Sequence, residues 1–240
     1  MKKINFIKKD PKYYEIIKRY PKKRIHLNKD YMDIYNQHYL NNRSGSGISN
    51  YLSKIMESWM HKKVSSIKGK KILELGAGNL NHIKYERDFS IYDIVEPFRE
   101  LYRDSPELHK IRHKFKSLED VQNKFDKIIS IATLEHLEDL PKEINNCKKL
   151  LKKKGVFQVA VPCEGELAFK LGWKLTTGVS FKLNYNLDYS KLIQYEHLNS
   201  LNEIKIILEN NFKILKFERS PFILPFKNLS FYAYFECKIN

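Results

Sequence analysis

Apolar positions follow two rhythms along the chain. In "SNYLSKIMESWMHKKV", Leu52, Ile55, Met56, Trp59 and Met60 recur at i, i+3, i+4, i+7 and i+8, which predicts an amphipathic helix with Ser49 as its N-cap. From Lys70 onward, short apolar runs alternate with other stretches. "KILELG", "FSIYDIVEP" (89–97), "KIRHKFKS" (110–117), "FDKIISIA" (125–132) and "VFQVAVP" (156–162) have the length and content of strands. Between them, "FRELYRD" has helical character. A second helix begins near Pro141, carries Ile144, Cys147, Leu150 and Leu151 on one face, and is closed by Gly155. In "SLNEIKIILEN", Ser200 and Glu203 form a capping box ahead of an apolar face of Leu201, Ile204 and Leu208. Two long strands end the chain, "FKILKFER" (212–219) and "LSFYAYFECKI" (229–239). Their link of about nine residues holds Pro221 and Pro225 and is too short for a helical crossover, so they pair antiparallel.

This order predicts an α/β fold: a doubly wound, seven-stranded, mostly parallel sheet with an antiparallel C-terminal strand pair and a helical N-terminal extension. The expected division is a helical extension over 1–62 and one main domain over 63–240. The alternation pauses in an insertion at about 163–199. Composition narrows the class. With 42% hydrophobic and 13% aromatic residues in 240, there is material for one real core. No apolar run approaches the roughly 18 residues of a membrane span, and "MKKINFIKKDPKYY" lacks the apolar centre of a secretory signal. Cys147, Cys163 and Cys237 are far apart, as befits buried thiols of a cytoplasmic protein, and their spacing gives no metal site. The net charge of +16 admits a nucleic-acid partner, but lysines spread over the whole surface account for it as well.

The chemistry begins where the first strand empties into Gly76-Ala77-Gly78. Glycines let a backbone approach a ligand closely, and a helix after them would offer free N–H groups. A dinucleotide site would need a third glycine at position 81, where this chain has Asn81. Two residues before the first glycine stands Glu74, which suits an ammonium or sulfonium better than a pyrophosphate. Glu96, twenty residues after Gly76 at the tip of the second strand, can accept both hydroxyls of a ribose and fits more than one nucleoside cofactor.

Taken together, "ILELGAG", "YDIVEP", "FDKIISIATLEHLEDLP" (125–141) and "LLKKKGVFQVAVP" resemble, in order and spacing, the motifs of the class I S-adenosylmethionine-dependent methyltransferases over about residues 63–162. The resemblance implies a Rossmann-like methyltransferase fold, with S-adenosyl-L-methionine as cofactor and S-adenosyl-L-homocysteine as product. It implies that Glu74, Gly76, Ala77 and Gly78 cradle the methionine end and that Glu96 binds the ribose. Pro97, Phe98, Ser117 and Leu118 would lie beside the adenine, and Thr133, Glu135 and His136 would face the transferable methyl. Leu80 departs from the family pattern, which commonly has a third glycine there, and Ser117 stands where many members have Asp.

Methyl transfer to a hydroxyl needs a base. His136 and His197 are the candidates, with Glu135 behind them and Glu196 weaker still. Pro162-Cys163 follows the fifth strand rather than the fourth, so Cys163 is not expected to act as a nucleophile. The insertion interleaves Trp173, Phe181, Tyr185, Tyr189 and Tyr195 with Lys174, Lys182 and Lys191, a composition suited to a sugar or nucleotide-sugar lid and also to stacked RNA bases. The stretch from "PCEG" to "YEHLN" loosely resembles methyltransferases of bacterial surface-polysaccharide synthesis. The expectation is therefore an O-methyltransferase acting on a sugar, nucleotide-sugar or glycan. The alternatives are an RNA methyltransferase and a non-catalytic S-adenosylmethionine-binding partner subunit.

Overall fold

Seven strands form one sheet: β1 Lys71–Leu75, β2 Ile91–Val95, β3 Lys114–Phe115, β4 Phe125–Ile131, β5 Leu151–Pro162, β6 Lys213–Ser220 and β7 Tyr232–Lys238. Their order across the sheet is β3-β2-β1-β4-β5-β7-β6. The computed structural model describes residues 11–41, 57–163, 179–220 and 230–239. β1 pairs parallel with both β2 and β4, β4 pairs parallel with β5, and β7 runs antiparallel between β5 and β6. The expected seven-stranded, mostly parallel architecture is present. Its sequential order reverses between β1 and β4, and in open α/β sheets the ligand crevice lies outside the carboxyl ends of such strands. Gly76 and Thr133 stand at those ends.

Each face of the sheet carries its own core. On one side Leu73, Leu75, Ile128, Phe157 and Val159 pack with Ile144, Cys147, Ile204 and Leu208. These last come from helices α4 (Leu140–Leu150) and α7 (Leu201–Asn211), by the numbering used here. On the other side Ile72, Ile94, Ile129 and Tyr234 pack with Met60 and Val64 of a helix over 57–64, here α3. Strands β1 and β4 are thus buried on both faces, which is why they read as nearly continuous apolar runs. The N-terminal helix α1 (Pro11–Ile17) sends Tyr13 and Ile16 into the first core. Helix α2 (Lys29–Asn41) meets α5 (Val179–Tyr185) and α6 (Tyr189–Glu196) in a third, small cluster of Leu27, Tyr31, Phe181 and Leu192.

Four local expectations need correction. No α-helix follows the glycine turn among the described residues; the crossover to β2 holds only a 3-10 turn, Ile83–Tyr85. Leu80 takes a left-handed φ of 67° there, which a helix cannot contain. "FRELYRD" yields only the 3-10 turn Arg99–Leu101, and a second such turn, Pro106–Lys110, follows under a Ser105 cap. β3 is two residues long, because the Asp93 carboxylate takes the His113 N–H at 3.1 Å and holds the Arg112 guanidinium. Finally, α4 ends at Leu150, not at Gly155; Leu151 already belongs to β5. Gly155 sits where the β4–β5 register shifts, and a Cβ there would stand 2.9 Å from Leu151 Cγ and 3.0 Å from the Asp126 carbonyl. The Ser200–Glu203 capping box and the antiparallel β6–β7 pair are as expected. Ser49, Leu52, Ile55, Met56, Pro221 and Pro225 lie outside the described residues.

Candidate active site

The bend after β1 is built by glycine geometry and closed by an acid. Gly76 and Gly78 have φ of 73° and 52°, the left-handed region that favours glycine. The Gly76 N–H donates to the Val95 carbonyl at 2.8 Å, fixing the bend to the tip of β2. From that tip, Glu96 reaches across: its carboxylate accepts the Gly78 N–H at 2.9 Å and the Phe98 N–H at 3.1 Å. The tip of β4 presses on the bend from the other side. A Cβ on Gly76 would stand 2.8 Å from Thr133 Cβ and nearer still to the rest of that side chain. Gly76→Ala is therefore expected to lower stability by at least the ~1–2 kcal/mol of a left-handed non-glycine residue. Adding Thr133→Ala should recover only the overlap with Oγ1 and Cγ2, because the Cβ contact remains, and thermal unfolding of the single and double variants measures that part.

Glu74 points away from solvent. It is buried, and the Tyr92 hydroxyl donates to its carboxylate at 2.6 Å. Burial pushes its carboxyl up to about 8 despite that bond, so without a neighbouring cation it holds its proton at neutral pH. A cation beside it would drive the proton off. Behind it lies a second polar group that the sequence reading did not single out. Lys127, in the middle of β4, is fully buried and donates to the Val64 and Ile67 carbonyls and to Glu86. Glu86 also meets His82 Nε2 at 2.8 Å, and His82 Nδ1 lies 3.1 Å from His61 Nδ1.

The two histidines expected from sequence, separated by 61 positions, come together. Their ring centroids are 4.8 Å apart in an edge-to-face arrangement. His136 ends the 3-10 turn Leu134–His136 after β4, and His197 is the C-cap of α6. His136 Nδ1 lies 2.9 Å from the Glu196 carbonyl. A carbonyl only accepts, so Nδ1 carries the proton and Nε2 keeps its lone pair. Burial, then the neighbouring His197, pushes the His136 imidazole down to about 4, and it is neutral at pH 7. Glu135 is buried beside it, with an oxygen 3.6 Å from His136 Nε2.

The remaining expected residues are spread around this frame. Ala77 is buried under the bend, while Pro97 and Phe98 are exposed beside Glu96. The Ser117 hydroxyl caps the turn Leu118–Asp120, and Leu118 is packed in the first core. Cys163 is buried. Phe181 belongs to the third cluster, against which Tyr189 and Tyr195 pack, and Tyr185 is exposed. Trp173 and Lys174 lie outside the described residues. Sequence reasoning missed Tyr92 and Lys127, and also Tyr20, Arg24 and Asn199, which brace the histidine turn from a distance. A lysine inside an apolar strand was a readable warning of a buried ion pair; the others left no local signal.

The model of one family, described as a methyltransferase domain, matches residues 48–215. The chain belongs to this family. The fold is that of the S-adenosylmethionine-dependent class I methyltransferases, and S-adenosylmethionine is the cofactor. Among solved structures, the plantazolicin methyltransferase BpumL, crystallised with a desmethyl analogue and S-adenosylhomocysteine, superposes with a TM-score of 0.61 at 11% identity, over 95% of this chain and 98% of that one. A methyltransferase from Clostridium acetobutylicum gives 0.52 at 13% identity, covering 88% and 99%. The magnesium protoporphyrin IX methyltransferase of Synechocystis, with bound S-adenosylhomocysteine, gives 0.52 at 12%, covering 96% and 95%. No curated protein sequence matches the chain. The residues present fit the cofactor: a bend without room for a side chain, an acid lodged across it, and an exposed aromatic ring, Phe98, adjoining that acid.

Proposed function

We propose that this methyltransferase acts on a hydroxyl group of a sugar-containing acceptor, with the His136–His197 pair as its base. One observation carries the proposal: the Glu196 carbonyl fixes the His136 tautomer, leaving a neutral Nε2 able to take a proton at the carboxyl end of β4. S-adenosylmethionine, when bound, supplies an electrophilic methyl on a sulfonium. The chain's own part is to place and to deprotonate. Glu96 has two lone-pair positions beyond those used by Gly78 and Phe98, enough for the two hydroxyls of a ribose. Glu74, deprotonated by a bound ammonium or sulfonium, would offset that charge. Thr133 sits between the glycine bend and the histidine turn, and Phe98 offers a flat face for a base. Tyr35, Tyr189 and Tyr195, half-buried against the third cluster, supply aromatic surface suited to a sugar ring. The varied names of the structural neighbours show that the fold alone does not choose the acceptor.

The test is release of S-adenosylhomocysteine from a panel of nucleotide sugars, free glycans, catechols and RNA. Turnover on a sugar member is expected, with His136→Gln lowering kcat by about 10²–10⁴-fold and His197→Gln by a smaller factor. Because the His136 imidazole is held down to about 4, the rate should stay level from pH 8 to pH 5 and fall only as pH approaches that value. Turnover on RNA alone, or full turnover after both substitutions, removes the sugar assignment or the base assignment respectively.

A further inference from the structure

Arg24 lies far from the motifs, in the segment joining α1 to α2, yet its guanidinium sits between the two elements that carry the histidines. Nη2 donates to the His136 carbonyl at 2.9 Å; Nη1 donates to the Tyr195 carbonyl at 2.7 Å and approaches the Glu196 carbonyl at 3.4 Å. The Glu196 carbonyl is the one that fixes the His136 tautomer. The guanidinium also lies over the Tyr195 ring, 5.3 Å from its centroid, and its Nε is 3.4 Å from Glu138. Neighbours in the same segment grip the same two elements. The Lys22 N–H donates to the Glu138 carbonyl at 2.8 Å and its ammonium to the Leu198 carbonyl at 2.7 Å. The Tyr20 hydroxyl donates to Asn199, whose amide nitrogen donates to the Leu134 and Leu137 carbonyls on either side of His136.

We propose that Arg24 is a positioning residue of the methyl-transfer site, spanning the β4 turn and the end of α6 so that His136 and His197 stay in contact. The inference rests on the reading of that pair as the base. Two features separate it from simple anchoring of the N-terminal segment. Anchoring needs a hold on one element, whereas Arg24, like Lys22, bonds to both, and does so through a single side-chain group. Its bonds also land on His136 itself and on the two residues before His197. The planar fork suits this role, because its two Nη groups diverge in a fixed geometry, one toward each element, whereas an ammonium on a flexible stem sets no such angle. Charged or titratable groups facing His136 are Glu135, Glu196, His197 and Arg24, with Glu138 on the far side of the guanidinium.

The test uses the full chain with isotope-labelled histidine, as wild type, Arg24→Ala and Arg24→Lys. Ring signals are assigned by substituting each histidine in turn. Wild type should show nuclear Overhauser contacts between the His136 and His197 rings. Arg24→Ala should lose them, and the His136 titration midpoint should rise, because a nearby positive charge is gone and the ring is more open to water. Arg24→Lys should keep the fold and the charge and still lose most of the ring contact. It carries the test if the alanine variant does not fold. S-adenosylhomocysteine affinity, measured by calorimetry, should stay within about threefold, a change of under 1 kcal/mol. Wild-type ring contacts and titration in Arg24→Ala, or in Arg24→Lys where only that variant folds, would overturn the proposal. Failure of the base reading shows elsewhere, as undiminished turnover in the double histidine variant, so the two failures are distinguishable.

Discussion

Replacing Lys127 by methionine is expected to lower stability by about 3–5 kcal/mol, the range found when one partner of a buried ion pair is removed. Lys127 is fully buried, and its ammonium donates to three oxygens: the Val64 carbonyl at 2.8 Å, the Ile67 carbonyl at 2.7 Å and Glu86 at 2.5 Å. Methionine fills the stem's volume but leaves a buried carbonyl, a half-buried one and a buried carboxylate without that donor. With Lys127 in place, His82 adds no charge to this group. Burial pushes its imidazole down to about 4, so near neutral pH it brings Glu86 a hydrogen bond and no charge. The double variant Lys127→Met with Glu86→Leu should recover much of the loss, because apolar pairs of similar volume often replace a buried ion pair without penalty. Urea unfolding of the single and double variants checks both steps. A Lys127→Met midpoint equal to wild type would mean that the three bonds do not hold the fold.

The placing of this group explains why its effect should be large. Val64 ends α3 and Ile67 lies just beyond it; Glu86 belongs to the short crossover after the glycine bend; Lys127 stands in the central strand. The crossover has a single 3-10 turn, and its position rests on its own buried Leu80 and Ile83 and on the polar tie at Glu86. The same tie fixes the wall beside Glu74, and hence the ground on which the cofactor bend stands.

How far the sequence was legible follows from which interactions are local. The β1 run into Gly76, the β4 run into Thr133 and the Ser200–Glu203 box each declare themselves within a few residues, and each is where it was expected. His136 and His197 were identified from their separate neighbourhoods, one after a strand and one before a cap, and the fold then joined them. What failed was the expectation of full helices in the crossovers between β1 and β3. Helical period in "FRELYRD" spans too few residues to form a helix without packing support, and Pro106 and the left-handed Leu80 end what could have grown. The end of α4 was misjudged because Gly155 resembles a helix stop, although its role is to let β5 pass Leu151 and Asp126. The grip of Tyr20 and Arg24 had no signature at all. Both act on backbone carbonyls more than a hundred positions away or on a side chain equally distant, and carbonyls carry no sequence information.

Glu96→Ala is expected to raise the dissociation constant of S-adenosylhomocysteine by about a hundredfold, or roughly 2.7 kcal/mol. That is the order of two charge-assisted hydrogen bonds to a ribose, less the penalty already accepted in burying the carboxylate. The residue also works on the protein itself, because Gly78 and Phe98 each lose an acceptor when it is removed. Weakened binding could thus come from a lost ligand contact or from a loosened bend. Glu96→Gln separates them. A glutamine oxygen can still accept one of the two N–H groups while its NH2 meets the other donor, so the bend should be kept in part and the unfolding midpoint should fall less than in the alanine variant. The charge and the two acceptor positions of one oxygen are gone, one of them free for the ribose, so binding should weaken by about tenfold (~1.4 kcal/mol). If both variants bind like wild type by calorimetry, Glu96 holds the bend and nothing more. If glutamine alone binds normally while alanine both binds poorly and unfolds early, the acid acts through Gly78, and the ribose is held by other groups.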